Sequence, residues 1–286
     1  MELLNFNKYE VRKKSYGGAN GNKISILIDN ELYMLKLPTR ANKNENMSYA
    51  NSCISEYLGS HIFNMLGINA QKTLLGYYEH NGIRRISVAC KDFEKNGFYL
   101  KDFASVKNQI IDSTSNGYGT DISDVLETIE KQRLIDPFEL SKMFWDMFVI
   151  DALIGNWDRH NGNWGFLYNQ NTDEIKIAPI FDCGSGLFPQ IDDVMLKKIL
   201  NDKNQINARI YDFPTSALLF NGKRINYYSF IKSHEFKECD KAIERIKEKM
   251  NLEAINRLID DVNCISDLHK EFLKLIIKKR FEIIIC

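Results

Sequence analysis

A polar stretch at residues 156–163 lies between two apolar runs and constrains the fold more than any other part of the sequence. The preceding run, residues 143–154, is long and apolar enough to form a buried helix. The following run, residues 164–168, has the length and composition of a strand. The polar stretch is therefore predicted to be a short loop that joins a buried helix to a strand.

A second polar motif, residues 181–184, follows a further apolar segment that ends at Ile180. Residues 169–173, between the two apolar segments, have the composition of a turn, so these segments are predicted to pair as a hairpin. That pairing places Asn163 and Asp182 at the same open end of the hairpin.

Asp158, Asn163 and Asp182 are the side chains that phosphoryl transfer from a nucleoside triphosphate requires. The reaction needs a carboxylate near the acceptor hydroxyl, and an amide oxygen and a second carboxylate that hold Mg²⁺ against the phosphates. Mg²⁺ prefers such oxygen ligands, completed by phosphate oxygens and water. We therefore assign Asp158 to the acceptor, and Asn163 and Asp182 to the metal. Without further signals, the same residues are also compatible with an ordinary polar loop.

A Gly-rich stretch, residues 15–23, precedes two predicted strands at residues 24–28 and 32–37. Glycines let the backbone fold closely over an anion, which is how such a loop covers phosphates. The stretch is not a Walker A loop, because no Gly-Lys-Ser/Thr opens a helix. The residues expected to contact the nucleotide here are Gly17, Gly18, Ala19 and Asn20.

Lys36 lies in the second of these strands, where it matches the lysine that binds phosphate oxygens in kinases. As an isolated residue between leucines, it is also compatible with a solvent-facing position. The following residues 47–66 are predicted to form a helix, ended at Gly67, whose apolar stripe includes Met65 and leaves Glu56 outside it.

The string from Asp158 to Asn163, followed by the 181–184 motif, resembles the catalytic and metal motifs of the HipA-like serine/threonine kinases. It is also similar to the motifs of phosphoinositide 3/4-kinases, a family distantly related in fold. The resemblance extends from about Ser15 to the C-terminus. From this resemblance we expect a compact member limited to the core, without the additional N-terminal region of longer HipA proteins.

This resemblance implies an α+β, two-lobed protein-kinase-like fold, with a small β-rich lobe at residues 1–92 and a larger helical lobe at residues 93–286. It implies transfer of phosphate from ATP, with Mg²⁺, to serine or threonine hydroxyls of a protein. Lys36 is then a catalytic and nucleotide-binding residue, and Glu56 is its candidate partner, with an exposed glutamate as the alternative. His160 either neutralises transition-state charge or braces the loop.

Two strands, residues 73–78 and 83–89, are predicted around Asn81-Gly82, a strong hairpin signal. In a two-lobed kinase the chain then crosses between the lobes, and its main chain binds the adenine. The residues expected to do so are Cys90, Lys91, Asp92 and Phe93.

The resemblance further implies a toxin role, held in check by an antitoxin protein, and autophosphorylation of Ser15 at the start of the Gly-rich stretch. Two other functions remain open. A phosphoinositide kinase would need a dense run of Lys and Arg after Asp182, which the sequence lacks. A pseudokinase that only binds nucleotide would not need the catalytic groups, which are all present.

The composition excludes some partners. Lys plus Arg and Asp plus Glu both number 38, so the net charge is zero and favours neither nucleic acid nor an anionic membrane. The six cysteines form no C-x-x-C pair and are expected to be free thiols. The N-terminus lacks a signal pattern, so we expect a cytoplasmic and, from the many Asn, Ile and Lys residues, a bacterial protein.

From residue 95 the pattern is predominantly helical, with residues 105–120 predicted to be a loop. The basic pair Lys223 and Arg224 either supports a substrate or caps a helix. The helices predicted in this region cover residues 121–132, 136–154, 192–200, 233–250, 251–260 and 266–284.

Overall fold

The computed structural model describes residues 2–17, 23–38, 51–111 and 114–285. The strands are β1 (Leu4–Asn5), β2 (Glu10–Arg12), β3 (Lys23–Ile28), β4 (Glu31–Lys36), β5 (Thr73–His80), β6 (Ile83–Lys91), β7 (Phe98–Asp102), β8 (Gly165–Asn169), β9 (Glu174–Ile177), β10 (Thr215–Phe220) and β11 (Lys223–Asn226). The α-helices are α1 (Ser52–Met65), α2 (Phe103–Ile110), α3 (Ile122–Lys131), α4 (Pro137–Ile154), α5 (Asp193–Leu200), α6 (Lys203–Asn207), α7 (Tyr227–Lys232), α8 (Lys237–Lys249), α9 (Leu252–Asp260) and α10 (Asp267–Ile285).

A six-stranded sheet in the order β1-β5-β6-β4-β3-β2 contains every strand up to residue 91. Strand alternation gives it two apolar faces. Ala89 of β6 joins a small core with Leu35, whereas its neighbours Val88 and Cys90 join the main core with α1. The predicted hairpin at Asn81-Gly82 is confirmed, with positive φ angles of 51° and 71°.

The sheet ends at Lys91, next to the predicted lobe boundary between residues 92 and 93. That boundary stays a prediction. Beyond it, β7, β8 and β9 form a three-stranded antiparallel sheet, and the predicted hairpin of β8 with β9 is confirmed.

The predictions for residues 95–120 are wrong in two places. Residues 98–102 form β7 rather than helix, because they pair with β8, more than 60 residues further along the chain. Residues 105–110 belong to α2 rather than to the predicted loop, and Asp102 accepts a hydrogen bond from Ser105 N at 2.8 Å as the N-cap. Lys107, one of the polar residues of this helix, is fully buried and pairs with Asp124 of α3 at 3.0 Å.

Helix α4 is the buried helix that the sequence predicts before the polar stretch. Asp136 accepts hydrogen bonds from Phe138 N and Glu139 N, and Pro137 occupies the first turn, as predicted. Gly155 ends the helix with a φ of 67°, a conformation that a side chain would strain. The helix therefore stops at a fixed point and delivers residues 156–163 to the end of β8.

Several further predictions differ in detail from the structure. Met65 is 37% exposed and does not belong to the apolar stripe of α1. The described part of this helix begins at Ser52, and residues 47–50 lie outside the described residues. Residues 233–236 precede α8 rather than forming its first turn. Lys223 and Arg224 lie on β11, so neither caps a helix.

Within the described residues, no helix is long and apolar enough to cross a membrane. The described cysteines are free; Cys53, Cys90, Cys183 and Cys239 are buried and Cys264 is half-buried. Burial raises the pKa of Cys53, Cys183 and Cys239 to about 12. These thiols are therefore protected from reaction, because reagents cannot reach them and because they stay protonated at neutral pH.

Thiol titration is expected to distinguish the buried cysteines from the half-buried Cys264. In the native protein Cys264 should react first among the described cysteines, because it has the greatest access. After denaturation without reductant, all six cysteines of the chain should react. The Cys264→Ser variant, as control, should lose one fast thiol. A denatured count near zero would contradict the expectation of free thiols and a reducing compartment.

Candidate active site

Lys36, at the end of β4, contacts two carboxylates from distant parts of the chain. Its Nζ lies 2.8 Å from Glu56 Oε2 on α1 and 2.8 Å from Asp182 Oδ1. Burial lowers the pKa of Lys36, but the charges of Asp182 and Glu56 outweigh it, so the pKa lies well above its ordinary value. Lys36 is therefore a cation at neutral pH, and its contacts join β4, α1 and the 181–184 motif.

Glu56 is only 1% exposed, so the alternative of an exposed glutamate is wrong. Its second oxygen, Oε1, accepts a hydrogen bond from Cys183 N at 3.1 Å. A buried carboxylate is stable only when it is paired and hydrogen-bonded, and Glu56 meets both conditions. The expected partnership of Glu56 with Lys36 is present, and Glu56 also fixes the main chain next to Asp182.

Asp182 has a φ of 58°, in the left-handed region that non-glycine residues rarely adopt. The charge of Lys36 lowers the pKa of Asp182 to about 2. Its side chain is nevertheless 44% exposed. Asp182 therefore presents an ionised carboxylate to solvent from a strained backbone position, a combination that is concentrated at functional sites.

Arg159 connects the polar stretch to α4 and to the second motif. Its Nε donates to Asp151 Oδ2 at 2.9 Å, and its Nη1 donates to Asn163 O at 2.9 Å and also to Phe181 O. The side chain is 4% exposed and its partner Asp151 is 1% exposed. One buried guanidinium thus holds the main chain at Asn163 and at the residue before Asp182.

Asp158 and Asn163 lie at opposite ends of the loop and are linked to each other. Asn163 Nδ2 donates to Asp158 O at 2.9 Å, which leaves Asn163 Oδ1 available as an acceptor. Asn156 Oδ1 accepts from Asp158 N at 3.2 Å. The Asp158 carboxylate is half-buried, and this burial raises its pKa. A carboxylate with a raised pKa is a better proton acceptor, which suits a group facing an acceptor hydroxyl.

His160 braces the loop. Its Nδ1 accepts a hydrogen bond from Gly162 N at 3.1 Å, so this nitrogen carries no proton and the hydrogen of a neutral ring lies on Nε2. Its ring centroid lies 6.3 Å from that of Tyr118. The other predicted role, neutralisation of transition-state charge, stays a prediction.

The donor set fits Mg²⁺. Asn163 Oδ1 and the Asp182 oxygen that does not contact Lys36 are hard oxygen donors. Within the described ranges, no group of three or more His, Cys, Asp or Glu side chains could hold a metal ion by itself. A small protein donor set is typical of Mg²⁺ that is completed by phosphate oxygens and water.

Comparison with known proteins identifies the family of the chain. The family model described as the HipA-like C-terminal domain matches residues 14–263. The chain belongs to the HipA-like C-terminal domain family. It is also 48% identical over 282 residues to a serine/threonine-protein kinase, CtkA, of Helicobacter pylori, with 98% of this chain and 86% of that protein aligned. The predicted enzyme class, a HipA-like serine/threonine protein kinase, is therefore confirmed.

Two solved structures resemble this HipA-like kinase. A crystal structure of a Helicobacter pylori proinflammatory kinase, CtkA, matches with a TM-score of 0.93 and 46% identity, covering 99% of this chain and 97% of the other. HipA of Shewanella oneidensis, solved with HipB and operator DNA, matches with a TM-score of 0.52 and 11% identity, covering 95% and 65%. The second match concerns the fold alone, and together they confirm the two-lobed kinase-like fold.

The Gly-rich stretch of this HipA-like kinase is described only in part. Among the described residues, no atom lies within 4 Å of a Cβ added to Gly17. The other predicted contacts, Gly18, Ala19 and Asn20, lie outside the described residues. Just before them, Tyr16 Oη donates to Asp92 Oδ2 at 2.9 Å, which ties this stretch to the predicted adenine segment.

In that segment, most main-chain donors are already in use. Lys91 N donates to Lys72 O at 2.8 Å, and Asp92 N donates to Leu32 O at 2.8 Å. Cys90 is fully buried and pairs with both neighbouring strands. Among the described groups, Phe93 N has no such acceptor, so it is the main-chain donor of this segment that remains available to an adenine.

Two functional candidates are missing from the sequence-based set. The first is Arg159 with its partner Asp151. Asp151 lies in an apolar part of its helix, and because a buried charge requires a partner, it could have indicated a buried cation nearby. The second is Lys23, which lies opposite Lys36 in the β3–β4 register and donates to Gly17 O at 2.6 Å. The sequence feature that could have identified Lys23 is the turn at residues 29–30, because this turn fixes which residues of the two strands lie opposite each other.

Proposed function

We propose that this HipA-like kinase transfers the γ-phosphoryl group of ATP, with Mg²⁺, to a serine or threonine hydroxyl of a protein substrate. The observation that carries the proposal is the contact of Lys36 with both Glu56 and Asp182, at 2.8 Å each. Three residues from separate segments meet there in the arrangement that phosphoryl transfer requires.

Each residue then has a defined role. Asp158 accepts or orients the proton of the acceptor hydroxyl, and its raised pKa supports that role. Lys36 binds phosphate oxygens while Glu56 holds its ammonium group in place. Asn163 and Asp182 are the residues that would hold Mg²⁺, which neutralises charge on the phosphates when bound.

The nucleotide is proposed to lie between the Gly-rich stretch and the segment from Cys90 to Phe93. Lys23, beside Lys36 on the same face of the sheet, supplies a second positive charge toward the phosphates. Burial and the neighbouring charge of Lys36 lower the pKa of Lys23. An anionic phosphate between the two ammonium groups would relieve this repulsion.

The test is to incubate purified protein with labelled ATP and Mg²⁺, with protein and phosphoinositide acceptors side by side, and to locate the label by mass spectrometry. Label on serine or threonine of protein supports the proposal. Label on lipid supports the phosphoinositide kinase alternative. Bound nucleotide without transfer to either acceptor supports the pseudokinase.

A toxin role with an antitoxin partner belongs to the same proposal. Its support is the fold shared with HipA of Shewanella oneidensis, which was solved with HipB and operator DNA. Co-purification from the native host would test for such a partner. Direct nucleic-acid binding by this chain is not expected, because its net charge is zero.

Ser15 is the proposed autophosphorylation site, and it is exposed. Its neighbour Lys14 pairs with Asp92 and Glu94 at 2.6 and 2.9 Å. A phosphate on Ser15 would add about 1.5 to 2 negative charges, compete for Lys14 and repel both carboxylates. The Gly-rich stretch would then separate from the adenine segment, so autophosphorylation should lower ATP affinity.

We expect wild type, but not Ser15→Ala, to lose ATP affinity during long incubation with ATP. Calorimetry before and after incubation measures this loss, and intact mass counts the phosphates added. Ser123→Ala, which removes an exposed serine of α3, is the matched control and should behave as wild type. Equal loss in wild type and Ser15→Ala would place the switch elsewhere.

A further inference from the structure

A cavity of about 330 Å³ opens beside the candidate catalytic loop and has no role in nucleotide binding as proposed above. Its walls combine apolar surfaces with two guanidinium groups. The lining residues used below are Trp157, Met195, Arg209, Phe213, Pro214 and Arg224. The volume is at the lower end of small-ligand pockets and suits one or two side chains.

The cavity lies next to Asp158, the residue proposed to contact the acceptor hydroxyl. Trp157, which lines it, immediately precedes Asp158 in the chain. Arg224 also lines it, and its positive charge acts on the Asp158 carboxyl. A peptide that presents a hydroxyl to Asp158 would therefore place a neighbouring side chain in or over this cavity.

The described lining of the cavity carries a net positive charge. Among the described residues that line it, none is acidic. Arg224 is exposed, and neither it nor Arg209 forms a salt bridge within the described part of the chain. Arg209 Nη1 donates to the main-chain and side-chain oxygens of Gln205 at 3.0 and 2.9 Å, whereas its buried Nε has no hydrogen-bond partner in the described part of the chain. Guanidinium groups recognise carboxylate and phosphate with paired hydrogen bonds, so this lining selects an anion.

The frame of the cavity is held from behind by Arg280 of α10. This side chain is 2% exposed, and its Nη2 donates to Arg209 O at 2.8 Å and to Phe213 O at 3.0 Å. Its guanidinium also lies 4.9 Å from the ring centroid of Phe188, another lining residue. The two segments that carry Arg209 and Phe213 are thus fixed to the same buried group, so these hydrogen bonds hold the walls of the cavity in place.

Exposed apolar side chains mark the rim of the same cavity. Phe213 is 59% exposed and Met195 is 41% exposed, although both are large hydrophobic residues. Apolar surface beside unpaired positive charge is typical of a binding site for an extended peptide with mixed side chains. A lipid headgroup would leave these apolar rims in water.

We propose that this cavity binds an anionic side chain, carboxylate or phosphate, of the protein segment that carries the acceptor serine or threonine. This inference rests on the proposed phosphoryl transfer and specifies its substrate class. Arg224 and Arg209 hold the anion, and Trp157, Met195 and Phe213 cover the adjacent apolar part of the segment. The kinase therefore prefers serines and threonines that have a glutamate, aspartate or phosphoserine nearby.

A positional-scanning library of immobilised serine peptides tests the proposal. Each flanking position carries Glu, phosphoserine, Ala or Lys in turn, and two quantities are read: kinase retained on the peptide and phosphate incorporated. We expect at least one position where Glu or phosphoserine exceeds Ala by roughly tenfold, the size of a charge-assisted hydrogen bond. The Glu and phosphoserine arms distinguish the two sources of the anion.

Charge reversal provides the decisive comparison. Arg224→Glu should invert the preference, so that Lys exceeds Glu at that position. Lys223→Glu makes the same change in charge at the preceding residue of β11, which is exposed and does not line the cavity. This control should keep the wild-type preference. The ratio between peptides is compared, so that a general change in rate does not affect the result.

The outcomes separate this proposal from the proposed function. Retention of acidic peptides that depends on Arg224, without phosphate transfer, supports the cavity and contradicts the transfer reaction. Phosphate transfer without an acidic preference supports the reaction and overturns the cavity. A preference that Arg224→Glu and Lys223→Glu change equally, or no retention of any peptide, also overturns it.

Discussion

The Asp158→Asn variant is expected to lose about 10²- to 10⁴-fold in kcat, the usual contribution of a general base. Its affinity for ATP with Mg²⁺ should stay close to that of wild type, because Asp158 acts on the acceptor proton in the transition state. Burial raises the pKa of the Asp158 carboxyl. The activity of wild type should therefore fall, as the pH is lowered, at a higher pH than for an ordinary aspartate.

The Asp182→Asn variant, in contrast, is expected to lower the affinity for ATP with Mg²⁺. It removes a proposed metal ligand, so affinity for ATP with Mg²⁺ should fall on the order of tenfold or more. The variant also removes the contact of Asp182 with Lys36. Without Mg²⁺, ATP should therefore bind Asp182→Asn at least as well as wild type, because Lys36 no longer has to leave a carboxylate.

Calorimetry with and without Mg²⁺, beside steady-state kinetics, measures both variants. Asp173→Asn is a matched control, because it makes the same chemical change in the β8–β9 turn. The only described hydrogen bond of the Asp173 side chain is with Tyr168. This control should leave both quantities unchanged. Stronger loss of ATP affinity in Asp158→Asn than in Asp182→Asn would reject this assignment of roles and leave the kinase class intact.

The parts of the fold that the sequence predicts are those set by neighbouring residues. Helix α4 has its cap at Asp136, its proline at position 137 and its terminating Gly155 within one stretch of chain. The β8–β9 hairpin likewise depends on a local turn. In contrast, β7 exists because Phe98 to Asp102 pair with a strand that is distant in sequence, and no local pattern contains that information.

The residues of the candidate site also separate into those that the local sequence identifies and those that depend on tertiary packing. Asp158, Asn163 and Asp182 carry a recognisable spacing, so the sequence suffices to select them. The burial of Glu56 beneath Lys36 depends on how α1 packs against the sheet, and its position off the apolar stripe suggested exposure instead. The cavity beside Asp158 combines residues of four separated segments, which only the tertiary structure brings together.

Arg159→Met is expected to be among the most destabilising single changes in the chain. It leaves the carboxylate of Asp151, 1% exposed, buried without its cation. Breaking a buried pair in this way costs about 3–5 kcal/mol. Urea unfolding should show this loss as a lower midpoint with an unchanged slope.

Arg245→Met is a matched control, because its partner, like that of Arg159, is a buried aspartate of α4. Arg245 Nη2 pairs at 2.6 Å with Asp146 of α4, which is also 1% exposed. Lys142 remains 3.3 Å from Asp146 in this variant, so the loss of stability should be smaller. Arg245 has no described contact with the loop at residues 156–163 or with the 181–184 motif, so kcat and ATP affinity should not change.

The double variant Asp151→Leu with Arg159→Met separates stability from positioning. Replacing both members of a buried pair by apolar residues is often neutral or stabilising, so the double variant should recover much of the lost stability. It should not recover activity, because Arg159 also holds the main-chain oxygens of Asn163 and Phe181. Those bonds fix the residues beside Asp182, and neither leucine nor methionine can replace them. A double variant with wild-type stability and wild-type ATP affinity in the presence of Mg²⁺ would show that Arg159 only neutralises Asp151.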